Sequence, residues 1–221
     1  MTIYVGMNMT MGAGLPAWLT PLAWIFVALA LLSAAAIAAD IRNRHYPLTM
    51  KVTWAGSALF LGPVAVALYR RYGRDARPVG RATDARPLIV ESLPGGTASA
   101  LAHLVGVPLV IASGLTIAGT DLWVMIAVIA VVAIALLAVH ERTALRLGTS
   151  TAIVRAALTV AAFDLGMGGW MLLLHFNDFM PPATDVQFWF LMQVGILAGL
   201  LTGAPAVAAM RRTTTTSPAA A

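Results

Sequence analysis

Cysteine is absent from this chain, and charge is scarce: only 10% of its 221 residues are Asp, Glu, Lys or Arg. The first absence excludes disulfides, thiolate metal sites and a cysteine nucleophile, and leaves the redox compartment open. The second excludes an ordinary soluble domain, which carries roughly 25% charged residues. With 60% hydrophobic residues and a mean hydropathy of +0.85, the chain has more apolar surface than a soluble core can hide. Lipid is therefore its solvent. Catalytic signatures are also missing: no phosphate loop, no G-x-S-x-G and no H-E-x-x-H. The four histidines are far apart in sequence, so a haem between two of them, such as His103 and His175, would need convergence that sequence cannot show. No reaction can be read, and neither an enzyme nor a cofactor is expected. A metal site stays unknown.

What is present is a series of apolar runs, each close to the roughly 20 residues that a membrane-crossing helix needs. They predict an all-α, polytopic bundle of about six transmembrane helices over residues 15–39, 52–69, 97–119, 121–140, 151–175 and 186–210. Residues 1–39 carry no charge, and Ala36-Ile37-Ala38 resembles a signal-peptide cleavage site. No basic residue precedes the run, however, and it exceeds a signal core of about 7–15 residues, so a retained span is expected. Residues 1–14 read as a flexible N-terminus. Its Met7, Met9 and Met11 are either frayed chain or soft Cu(I) ligands. Gly62-Pro63 should kink the second span. Pro94-Gly95-Gly96 should break the chain before the third, with Thr97 capping a new helix. Residues 213–221 read as a disordered tail.

Six crossings would place both termini on one side. That side would hold eleven basic residues and the other three (Arg42, Arg44 and Lys51). The positive-inside rule then predicts a bacterial inner-membrane protein with both termini cytoplasmic. The net charge of +5 fits anionic lipid headgroups, so the bilayer is the expected partner and nucleic acid is not.

Two kinds of residue stand out inside the runs. Gly195, Gly199 and Gly203 form a small-residue stripe that lets another helix approach closely, either within the bundle or in a homo-oligomer. Ionisable and polar residues at membrane depth are the site candidates, because burial there is costly. Asp164, beside Gly166, Gly168 and Gly169, leads: a proton or cation carrier, or a structural hydrogen bond. Gln193 and His103 would line a path or serve as interhelical bonds. Glu91 with Gly95, Gly96 and Thr97 would bind an anion at exposed backbone N–H groups, or form an interfacial segment that is re-entrant or flat. Gly106 to Ala112 and Gly203 to Ala209 share G-x-P-x-V-x-A, a faint echo of an inverted three-plus-three repeat.

Three blocks, VTWAGSALFLGPVAVALYRRYGR from Val52, AFDLGMGGWM around Asp164 and FWFLMQVGILAGLLTGAP from Phe188, resemble the bacterial membrane family labelled domain of unknown function 4396. The resemblance runs from about Asp40 to Arg212 and implies a multi-pass membrane protein without an assigned activity. Many relatives carry His-Cys-Gly-Ala-Gly-Cys entering the third span, a motif with metal-binding or redox character. This chain has Ser92-Leu93-Pro94-Gly95-Gly96-Thr97-Ala98 there, so that chemistry does not transfer. Two readings follow: passage of a small solute, proton or cation using Asp164, or a non-catalytic scaffold packing through Gly195, Gly199 and Gly203.

Overall fold

The computed structural model describes residues 15–74, 87–117, 119 and 121–215. Met7, Met9 and Met11, most of the arginine-rich loop and residues 216–221 lie outside that range. The described chain is helical: α1 (Leu19–Ile41), α2 (Leu48–Leu61), α3 (Pro63–Leu68), a π-helical turn (Tyr69–Gly73), α4 (Leu88–Ser113), α5 (Leu122–Ala144), α6 (Thr149–Phe176) and α7 (Val186–Thr215). Five of these, α1 and α4 to α7, are long and apolar enough to cross a bilayer. Helices suit lipid because every backbone group is paired within the segment. The last helix continues to Thr215, so the start of the expected tail is helical.

The expected second span does not cross. The segment α2–α3 is a re-entrant hairpin whose arms begin and end at the same face. At its mouth the Tyr46 hydroxyl donates to the Gly73 carbonyl at 2.8 Å, and Arg44 donates to the Arg74 carbonyl at 2.8 Å. Tyr69 reaches back to Asp40, the end of α1, at 2.6 Å. Trp54 on the ingoing arm meets Tyr69 on the return arm edge-on, with ring centroids 5.6 Å apart. The 14 residues of α2 carry the chain about 21 Å inward, to Gly62 beside Phe26 of α1. Gly62 has φ +55° and ψ −133°, a conformation that only glycine adopts cheaply. Pro63 follows as the first residue of α3, where its missing N–H costs nothing. The Gly62 N–H closes α2 on the Ala58 carbonyl and its own carbonyl opens α3 to the Ala65 N–H, so the turn leaves its backbone paired at depth. Gly62-Pro63 is therefore a reversal rather than a kink.

The second correction concerns Pro94-Gly95-Gly96-Thr97. Helix α4 runs through all four residues without a break. A proline inside a helix forfeits one backbone bond, whereas a broken helix in lipid exposes several groups at once. The glycines serve packing instead: a β-carbon on Gly96 would lie 2.9 Å from the Phe60 ring and 3.0 Å from Leu200.

Contacts fix the direction of each helix. Gln187 at the start of α7 bonds Thr20 at the start of α1, at 2.6 Å. Thr49 at the start of α2 meets Thr143 at the end of α5, at 3.0 Å. Arg155 near the start of α6 pairs with Glu141 of α5 at 2.9 Å and reaches the Met210 carbonyl of α7 at 3.4 Å. One face thus gathers the end of α1, the hairpin mouth, the end of α5 and the start of α6, and receives the end of α7. The other gathers the starts of α1, α5 and α7. Five helices of spanning length plus a hairpin put the outer ends of α1 and α7 at opposite ends of the bundle, whereas six spans would put them at the same end. They also remove the three-plus-three symmetry, since the second half has no matching hairpin.

The glycine stripe of α7 is spent inside the molecule. Gly199 and Gly203 take the Phe163 ring of α6, and Gly195 takes Met167 and Trp170. Gly166 returns the favour, lying against the Ala198 carbonyl. Within the chain, the stripe is therefore occupied by α6.

Candidate functional site

Polar side chains buried in a helical bundle need partners, because an unpaired polar group in low dielectric is costly. At the hairpin–α4–α5 junction they find them. The Thr97 hydroxyl donates to the Thr53 carbonyl at 3.0 Å. The Thr53 hydroxyl lies 3.3 Å from His140 Nδ1, and Ser57 donates to the Trp54 carbonyl at 2.8 Å. All four polar side chains are buried. Thr97 therefore docks α4 onto the hairpin rather than capping a helix, and its backbone N–H is inside α4, unavailable to an anion.

Two turns deeper the pairing fails. His103, 3% exposed, places Nδ1 at 2.8 Å from the Ser99 carbonyl. A carbonyl only accepts, so Nδ1 carries the hydrogen and Nε2 is left with a lone pair. That Nε2 has no partner. Gln193 Oε1 on α7 is the other buried side-chain atom without one among the described residues. The two helices run antiparallel with Gly96 against Leu200. Seven residues onward along α4 and seven back along α7 return to the same faces, which sets His103 level with Gln193 across the α4–α7 interface. Two acceptors thus face a common interior level.

Asp164 is elsewhere. Phe163, Gly166, Met167 and Trp170 form the side of α6 that packs on α7. Asp164 sits on a flank of α6, half-buried, beside exposed Ala161 and Leu165. A β-carbon on Gly168, one turn along, would meet nothing within 4 Å. No hydrogen bond or ion pair engages Asp164 among the described residues. Glu91 occupies the first turn of α4, a position that the helix dipole favours for an acid. Gly95 packs on Thr159 of α6. The structure therefore joins Thr97 to the hairpin, places His103 and Gln193 at one level with no bond between them, and sets Asp164 on a flank of α6 and Glu91 in the first turn of α4. Among the described residues no three His, Asp or Glu side chains converge on a metal-sized site.

Residues 86–214 match the family model described as Domain of unknown function (DUF4396). The chain belongs to that family. The match covers α4 to α7, and α1, the hairpin and the Val52–Arg74 block lie outside the matched residues. No curated protein and no solved structure matches the chain.

Sequence reasoning missed Thr53, Ser99 and His140, the partners that make the interior polar seam. It missed the Asp40–Tyr69–Arg44 cluster too, which appears only once the hairpin folds back. One signal pointed there: Lys51 and Arg70 bracket the apolar run of 52–69, as expected when both of its ends face the same basic surface.

Proposed function

We propose that this DUF4396 protein conducts protons, or small hydrogen-bond donors, along the interior seam between the hairpin, α4 and α7. The observation that carries the reading is the pair of unpartnered buried acceptors, His103 Nε2 and Gln193 Oε1. Polar groups left unsatisfied in the membrane mark pathways more often than packing. An imidazole with a free lone pair can take a proton and release it again. A re-entrant segment at depth is a second support, because non-helical backbone is tolerated where it lines protein or a water-filled path. Asp164, on its outer flank, is not on this route. The scaffold reading through Gly195, Gly199 and Gly203 loses its free surface to α6.

The basic face is the cytoplasmic one in this proposal, in a bacterial inner membrane. All 14 Lys and Arg of the sequence lie on or between segments that meet that face, whereas Asp121, Asp178 and Asp185 flank the other. The N-terminus is then exoplasmic and the C-terminus cytoplasmic.

Proteoliposomes enclosing a pH-sensitive dye test the route. Wild-type protein should speed proton equilibration over empty vesicles. His103→Leu should return it to the empty-vesicle rate, and Asp164→Asn should leave it unchanged. Unaltered flux in His103→Leu, or loss of flux in Asp164→Asn, would refute it.

A further inference from the structure

At the hairpin mouth a cavity of about 240 Å³ opens between α1 and the return arm, lined by Ala36, Ile37, Asp40, Val66, Tyr69, Arg70 and Arg74. Its lining is divided. Ala36, Ile37 and Val66 supply an apolar wall, and Arg70 and Arg74 supply two exposed guanidinium groups. The one acid in the lining is already compensated: Asp40 Oδ2 accepts from Arg44 at 3.0 Å and from Tyr69 at 2.6 Å. Neither Arg70 nor Arg74 forms an ion pair or side-chain hydrogen bond among the described residues. They lie four residues apart at the π-helical turn, which brings their side chains toward one side. The cavity is therefore net positive at its polar end and greasy at the other.

We propose that this cleft binds the phosphate head of a glycerophospholipid from the leaflet at the basic face. Guanidinium groups recognise phosphate oxygens through paired charge-assisted hydrogen bonds. The acyl glycerol runs along Ala36, Ile37 and Val66, toward the hydrocarbon. Tyr72, half-buried beside the turn, sets the depth, since tyrosine rings collect at headgroup level. A free phosphate would use the arginines alone and leave the apolar wall bare; a lipid uses both. The site ties the hairpin to the bilayer at the point where its two arms meet, and it is independent of the proton route.

Purified full-length protein in detergent, titrated with three probes, tests the assignment. Dihexanoyl phosphatidylglycerol should bind saturably. Dihexanoylglycerol, which lacks the phosphate, and inorganic phosphate, which lacks the chains, should each bind far more weakly. The Arg70→Gln/Arg74→Gln double variant should bind the phospholipid about 30-fold more weakly, from the usual contribution of two interfacial arginines. Both side chains are exposed, so unchanged helical circular dichroism is expected and serves as the folding control. Inorganic phosphate binding as tightly as the phospholipid would make this a free-anion site and overturn the lipid assignment. Dihexanoylglycerol binding as tightly, or undiminished phospholipid binding by the double variant, would overturn the phosphate site itself.

Discussion

Substituting Gly199 by alanine adds one methyl group to the tightest part of the α6–α7 contact. The new β-carbon would stand 2.6 Å from two Phe163 ring carbons and 2.8 Å from a third. Carbon atoms need about 3.5 Å or more, so the ring must retreat by close to an ångström. Phe163 is 3% exposed and cannot swing into lipid without leaving its place. Overpacking of this kind costs about 1–3 kcal/mol. Gly203 sees the same residue at 3.7 to 3.8 Å, ordinary contact, and its alanine variant should be near neutral. Gly168 has nothing within 4 Å, so Gly168→Ala should gain the helix propensity of alanine, up to about 1 kcal/mol. Equilibrium unfolding of the purified protein in mixed detergent ranks the three. A Gly199→Ala/Phe163→Leu double variant should recover part of the loss, because the two changes share one contact. An equal or larger loss in Gly168→Ala than in Gly199→Ala would refute the packing described for α6 and α7.

Two further outcomes follow from the basic face. Glu141→Gln should destabilise the protein by about 3 kcal/mol in the same unfolding assay, since Arg155 would keep a largely buried charge without its 2.9 Å partner. Burial, and then the hydrogen bond to Asp40, push the Tyr69 phenol up to about 12 from its ordinary 10. A folded-state value above the unfolded one adds stability that is complete below pH 10 and fades as pH rises through about 12. Tyr69→Phe should therefore be less stable than wild type at pH 8, by about 1 kcal/mol. The difference should shrink above pH 11 in a pH series of unfolding midpoints.

The helical membrane class and the helices α5, α6 and α7 were legible because each depends on one local property, a run of apolar residues of spanning length. The expected spans at 121–140, 151–175 and 186–210 fall on α5, α6 and α7 with shifts confined mainly to their ends. The hairpin was not legible, because hydropathy is the same for a segment that crosses and one that turns back. Gly62-Pro63 marks a disturbance in either case; only Tyr46 on Gly73 and Tyr69 on Asp40, contacts distant in sequence, decide which. Pro94-Gly95-Gly96 erred the other way. Local propensity favours a break there, and burial against Phe60 and Leu200 overrides it. Residue type picked out His103, Gln193 and Asp164, and put Asp164 first. Helix direction and facing, which residue type does not carry, set the first two level with each other and Asp164 apart.

The re-entrant hairpin decides the direction of everything after it, and the absence of cysteine allows a clean test. Single cysteines at Arg44 and Arg74, with controls at Arg146 and Asp185, can be labelled by a membrane-impermeant maleimide in intact cells and in inverted vesicles. Arg44→Cys, Arg74→Cys and Arg146→Cys should all react only in inverted vesicles, and Asp185→Cys only in intact cells. Reaction of Arg44→Cys and Arg74→Cys from opposite sides of the membrane would mean that residues 48–73 cross it, and would contradict the hairpin.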